Sequence, residues 1–221
     1  MERIIASLLV VALAVATINS LQIARLTGSP ADGLATAGNV VAAVPPTPVT
    51  TAGYSVIPQG VPAVYGAELG VSFSDVSSAT PQVADATIRR LGVLDQQITL
   101  SGDDLQRYIA IASQISCEYC CGAKSIIFEN GAPACGCAHS FAMRGLAKYL
   151  ITTHGDEYTD AQVLDEMGKW KVLFFPGQHI KKAEILQQQG IELTYSNLAS
   201  NAYRGIEKGA SASGSGMVGG C

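Results

Sequence analysis

The chain has 221 residues, a net charge of −4, 48% hydrophobic residues and only 14% charged ones. It carries no basic stripe, and that excludes nucleic acid as an expected partner. The shortage of charge is local: Asp32 is the only charge between Arg25 and Glu68, and the Gly/Ser-rich end after Lys208 has none on its side chains.

From the N-terminus, Ile4 to Ala24 is an uncharged apolar run bracketed by Arg3 and Arg25. Its length in helical geometry, about 31 Å, matches a hydrocarbon core. Residues 1–26 are therefore expected to be a transmembrane signal anchor, placing a single-pass protein in the cell membrane with its domain outside. A cleaved signal peptide with Ala14-Val15-Ala16 as its processing site is the competing reading. Residues 27–67, rich in Gly, Ala, Pro, Thr and Val, read as a flexible linker reaching about 120 Å at most. A strand-rich subdomain around Tyr54 to Phe73 is the alternative for that stretch.

Residues 68–208 have ordinary globular composition and read as a small, mainly α domain of about five helices with a cysteine-rich β-hairpin or knuckle. Thr80-Pro81 opens the first helix, with proline at its first position. Ile88, Leu91, Leu94 and Ile98 follow at helical spacing. Ser101 with Asp104 reads as a capping-box variant, and Leu105, Tyr108, Ile109, Ala112 and Ile115 form one face of the second helix. A third helix runs from Ala138 to His154, closed by Gly155. Thr159 and Gln162 cap a fourth, whose stripe of Val163, Met167, Trp170 and Phe174 is expected in the core and is stopped by Pro176. Gln178 to Gln189 makes a fifth. Ile191, Leu193 and Tyr195 alternate as in a short strand. Lys181-Lys182 and the acidic group Asp156, Glu157 and Asp160 read as solvated surface.

The chemistry sits between the second and third helices. Cys117-Glu-Tyr-Cys120-Cys121 is separated by thirteen residues from Cys135-Gly-Cys137-Ala-His139. Two ligand-rich turns a dozen residues apart are how short metal knuckles are built. Ser125 to Phe128 is strand-like, Asn130-Gly131 signals a tight turn and Pro133 stiffens the return, so a hairpin is expected to bring the turns together. The expected ligands are Cys117, Cys120, Cys121, Cys135, Cys137 and His139. A closed four-thiolate set, or one with His139 replacing a cysteine, suits zinc, which is preferred over copper(I). An iron–sulfur cluster also needs only four thiolates, but an oxidising exterior argues against it. Adjacent Cys120 and Cys121 cannot both bind one ion without strain, which leaves a spare thiol or a second ion with bridging sulfurs. Met143 lies one helical turn after His139, where a soft ligand and a core residue are both readings. His154 and His179 are less favoured as ligands. Outside the cell the same cysteines also suit disulfides.

The Cys135-Gly136-Cys137-Ala138-His139 turn resembles the Cys-Gly-Cys segment of extracytoplasmic proteins named for a Pro-Cys-Tyr-Cys-Gly-Cys motif. Those proteins are membrane-anchored and regarded as copper or metal binders. The resemblance covers about five residues, and it implies metal binding without naming the ion. In general character the chain is similar to membrane-anchored, cysteine-rich extracytoplasmic proteins.

Residues 209–221 read as a flexible tail ending in Cys221, a terminal thiol with intermolecular pairing, attachment or metal ligation as its alternatives. No nucleophile elbow, phosphate loop or paired-histidine motif is present, so a binding protein is expected rather than an enzyme. Two other functions compete: a thiol–disulfide redox protein using Cys117 and Cys120, and a disulfide-stapled structural surface protein. The sequence names no protein partner.

Overall fold

The computed structural model describes residues 56–208 and 216–220. These contain seven α-helices: α1 (Gly66–Leu69), α2 (Pro81–Gln97), α3 (Gly102–Ala112), α4 (Ala138–Thr153), α5 (Asp160–Phe174), α6 (Pro176–Gln188) and α7 (Tyr195–Ala199), with 3-10 turns at Phe73–Asp75 and Asn201–Tyr203. The mainly α reading holds. None of the described helices is long and apolar enough to cross a membrane. The expected membrane helix, residues 1–26, lies outside the described residues, as do most of the linker and Cys221.

The start signals work as local chemistry predicts in most places. Pro81 is at the first position of α2. At α5 the Thr159 hydroxyl accepts from the Gln162 amide at 3.3 Å, and the Gln162 side chain accepts from the Thr159 amide at 2.8 Å. Ser101 departs from expectation: it precedes α3, but its side chain makes no cap hydrogen bond. Pro176 both ends α5 and opens α6, because a residue without an amide hydrogen is least costly in a first helical turn.

Helix α4 is the centre of the fold, packed against α2, α3 and α5. Its Gly145 lies against the Leu91 carbonyl of α2, so the two backbones meet closely there. Val163, Met167, Trp170 and Phe174 of α5 are all buried, as their spacing predicts, and Met143 is core as well. The segment before α2 closes over this layer. Tyr65 is buried; it accepts from Trp170 Nε1 at 2.8 Å and donates to Glu166 at 2.8 Å. A smaller cluster of Val56, Val172, Ala183, Leu186, Leu193 and Leu198 joins α5, α6 and α7. At the other end of the chain, Val218 is buried and donates its amide to Phe174 O at 2.8 Å.

Three expectations change. Ile191 to Tyr195 is not a strand; Thr194 instead caps α7, accepting from the Asn197 amide at 3.1 Å. The hairpin after the first cysteine turn is reduced to an antiparallel bridge, Ile127 with Pro133, and no strand forms among the described residues. With a proline on the return limb, one ladder donor is missing from so short a pairing. Lys182 is fully buried and Lys181 nearly so, rather than solvated, because Lys182 turns inward to carboxylates.

Candidate metal centre

The first cysteine turn is shaped by its backbone. Cys117 pairs with Ala123 across a tight loop: the Cys117 amide donates to Ala123 O at 3.2 Å and the Gly122 amide to Cys117 O at 2.9 Å. Gly122 has φ +73°, a conformation that L side chains rarely adopt. The loop compresses Cys117, Cys120 and Cys121 into one knot. The second turn ends at Cys137, which is the N-cap of α4; its sulfur accepts from the Ser140 amide at 3.3 Å.

Arg144, fully buried one helical turn beyond Ser140, ties the two turns together. It donates to Cys135 O at 2.9 Å, to Ile126 O at 3.3 Å and to Ser140 Oγ at 2.7 Å, and its Nε meets Asp95 of α2 at 2.8 Å. Asp95 also pairs with Lys148 at 2.7 Å.

The sulfurs converge. Cys117, Cys120 and Cys137 form one group whose sulfurs all lie within 4.8 Å of one another, and Cys117, Cys121 and Cys135 form a second. A metal–sulfur bond of about 2.3 Å separates sulfurs on one ion by about 4 Å, so both groups are of a size to hold an ion. Cys121 and Cys135 are joined as a disulfide, and Cys120 is disulfide-bonded as well. Cys117 and Cys137 are free thiols, buried, with sulfurs 3.3 Å apart.

The free pair shares its protons unequally. The hydrogen bond from Cys137 lowers Cys117 against the opposing effect of burial, and the charges of Lys171 and Arg144 add to the lowering. The same hydrogen bond, with burial, pushes Cys137 up.

Beside the thiols lies a buried ionic group. Glu118, inside the Cys117–Cys120 spacer, accepts from Lys171 Nζ at 3.0 Å and Lys182 Nζ at 2.9 Å, with all three side chains fully buried. Burial alone would raise the Glu118 carboxyl, but the two ammonium groups outweigh it and hold it low. Burial brings Lys171 down to about 8, with Glu118 opposing. Lys171 also donates to Ala199 O at 2.9 Å, and Gly205 donates its amide to Glu118 at 3.0 Å, so the pair of lysines and Glu118 fasten α5, α6 and the segment after α7 around the cysteine loop.

Five of the six expected ligands are thus gathered and the sixth is not. His139 belongs to neither sulfur group. Its ring is buried against Phe174 and Phe175, with centroids at 4.7 and 5.1 Å, and Nε2 donates to Val218 O at 2.8 Å. Burial lowers its basicity. His139 therefore seats the C-terminal segment. His179 is also remote from the sulfurs in role, donating Nδ1–H to Phe175 O at 2.8 Å. The close free pair is Cys117 with Cys137, not Cys117 with Cys120.

Arg144, Asp95, Glu118 and Lys171 were not singled out from the sequence. Lys171 had a local signal: it follows Met167 by four positions on the buried side of α5. Arg144 stands similarly five residues after the expected ligand His139, on a helix otherwise apolar at its centre.

No family model matches the chain, and no curated protein and no solved structure matches it. The reading of function rests on the site alone.

Proposed function

We propose that this protein binds a soft metal ion through cysteine thiolates on the outer side of a membrane, with residues 1–26 as a single-span anchor, the linker up to Val56 as a tether, and the helical domain, which packs Val56 and Tyr65 into its core, carrying the site. The observation that carries the reading is the convergence of five cysteine sulfurs from two turns into two overlapping groups of three. Copper(I) is the ion we favour. It takes soft sulfur ligands readily and accepts three of them. Zinc, the preference from spacing alone, wants four ligands in a closed site. His139, which was to complete such a set, belongs to neither sulfur group.

The test is elemental analysis of the full chain, purified in detergent without chelator and under a reductant, with thiols counted on the same sample. At least one copper per chain, and thiols that become titratable only when it is withdrawn, is the expected result. Cys137→Ser should lower copper affinity at least tenfold. A reduced chain that takes up neither copper(I) nor zinc would remove the reading.

One observation favours a second reading, thiol–disulfide exchange. The Cys117 sulfur, acidified by its neighbours, lies within 4.8 Å of both sulfurs of the Cys121–Cys135 disulfide. A reduction potential between about −270 and −120 mV would support exchange, and one below about −300 mV would mark that bridge as structural.

A further inference from the structure

We infer that the site is built for two ions, with Cys117 as a bridging thiolate shared by two three-sulfur positions, one completed by Cys120 and Cys137 and the other by Cys121 and Cys135. The inference rests on the metal-binding reading and adds to it a stoichiometry and a role for each cysteine.

The two groups have one member in common, and it is Cys117. Two three-coordinate ions need six ligand positions in all, and five thiolates fill six positions if one of them bridges. Adjacent residues on a tight loop cannot easily turn their side chains to the same ion. Cys120 and Cys121 are adjacent, and they fall in different groups. The shared residue is also the most enclosed point of the site: Cys117 is 1% exposed, whereas Cys121 is exposed. A bridging sulfur at the centre with terminal ligands around it matches that gradient.

The surroundings suit an anionic cluster. Five thiolates and two monovalent cations leave three negative charges. Lys171 and Arg144, both fully buried, stand where their charges act on Cys117, and the N-terminus of α4 begins at Cys137. A buried cation without a matching anion is costly, and Lys171 shares the Glu118 carboxylate with Lys182.

Loading requires reduction. The Cys121–Cys135 bond is reduced by two electrons to two thiols: a dithiol supplies both electrons and both protons and becomes a disulfide, whereas a phosphine supplies the electrons and becomes its oxide, with water giving the oxygen and the two protons; the bridge to Cys120 opens in the same way. Each thiol then releases its proton as its sulfur binds copper(I), and copper stays monovalent throughout. Both positions are therefore incomplete in the oxidised chain, the first lacking Cys120 and the second lacking Cys121 and Cys135, and both are complete in the reduced one.

The experiment is anaerobic titration of the full chain with copper(I) against a chromophoric copper(I) chelator, after treatment with a phosphine reductant and removal of the excess. Two tightly bound ions per chain are expected, with metal–metal scattering in the X-ray absorption spectrum. Without reduction, fewer than two should bind. Cys120→Ser and Cys121→Ser should each retain one ion, and Cys117→Ser should weaken both positions, with helical circular dichroism showing whether each variant is folded. One ion per fully reduced wild-type chain, without metal–metal scattering, would overturn the two-ion site and leave the metal-binding reading standing. Two ions retained by folded Cys117→Ser would overturn the bridge. No ion on the reduced wild-type chain would overturn both readings.

Discussion

Arg144 shows how much a single side chain organises this molecule. It is fully buried, yet each of its polar contacts goes to a different part of the site: the Asp95 carboxylate, the Cys135 and Ile126 carbonyls and the Ser140 hydroxyl. The carbonyls fix where the second cysteine turn lies relative to the first. Removing one partner of a buried pair leaves the other charge stranded in a medium that solvates it poorly. Arg144→Met, which keeps the length and apolar body of the side chain, should destabilise the fold by about 3 kcal/mol in urea unfolding, near the low end of the range for such losses because Lys148 still meets Asp95. It should also raise the dissociation constant for copper(I), since the Cys135 carbonyl loses its anchor. The identity of this residue was visible in the sequence, but its importance was not. A lone arginine in a helix reads as surface until the groups facing it are known.

At the scale of elements, the packing of α2 on α4 decides where the cysteines end up, since α4 begins at Cys137. The contact depends on Gly145, where an added Cβ would run into the Leu91 carbonyl and crowd the Asp95 amide. Gly145→Ala ought to help an isolated helix by about 1 kcal/mol. Here overpacking opposes it, at about 1–3 kcal/mol or more, and because the obstructing atoms are backbone the loss should win. A lowered unfolding midpoint is the expected result, and an unchanged or raised midpoint would show that α2 can shift without cost. Most helices were legible in advance because their signals are local: the apolar stripe of α5, the proline at the first position of α2, although Thr80 before it makes no cap hydrogen bond, and the capping box at Thr159. The errors were local in kind as well. Ile191, Leu193 and Tyr195 alternate as a strand does, but Thr194 offers a cap three residues before the Asn197 amide, and no partner strand among the described residues competes for the backbone.

For the molecule as a whole, two segments far apart in the chain meet at His154, which caps α4: the loop after that helix, with Glu157, and α1, with Glu68. Nδ1 lies 2.7 Å from Glu157 and Nε2 lies 3.0 Å from Glu68, on the segment that closes over the core. Only a doubly protonated ring donates to both. Burial works against that charge, but the two carboxylates outweigh it, and the pKa is raised above 6.5. A folded-state pKa above the unfolded value means that the native state holds its proton more tightly. The stabilisation is fully present below about pH 6.5 and fades as pH rises through the higher folded value. The difference in unfolding free energy between wild type and His154→Gln should therefore be largest at mildly acidic pH and shrink on the alkaline side. A difference that grows with rising pH would contradict the pairing.

The sequence by itself determined the helical class, the buried stripes and the two cysteine turns, because periodicity, capping and ligand spacing act over a few residues. Only the tertiary structure decided which sulfurs share a neighbourhood. Cys120 and Cys121 are equivalent in a linear reading, and they separate into two groups only because the loop from Cys117 to Ala123 folds against the start of α4. His139 has a ligand's spacing, but its direction is set by Val218, nearly eighty residues later, and by the rings of Phe174 and Phe175. Lys182 reads as surface until Glu118 stands opposite it, for a buried charge is tolerable only where a distant part of the chain supplies its partner.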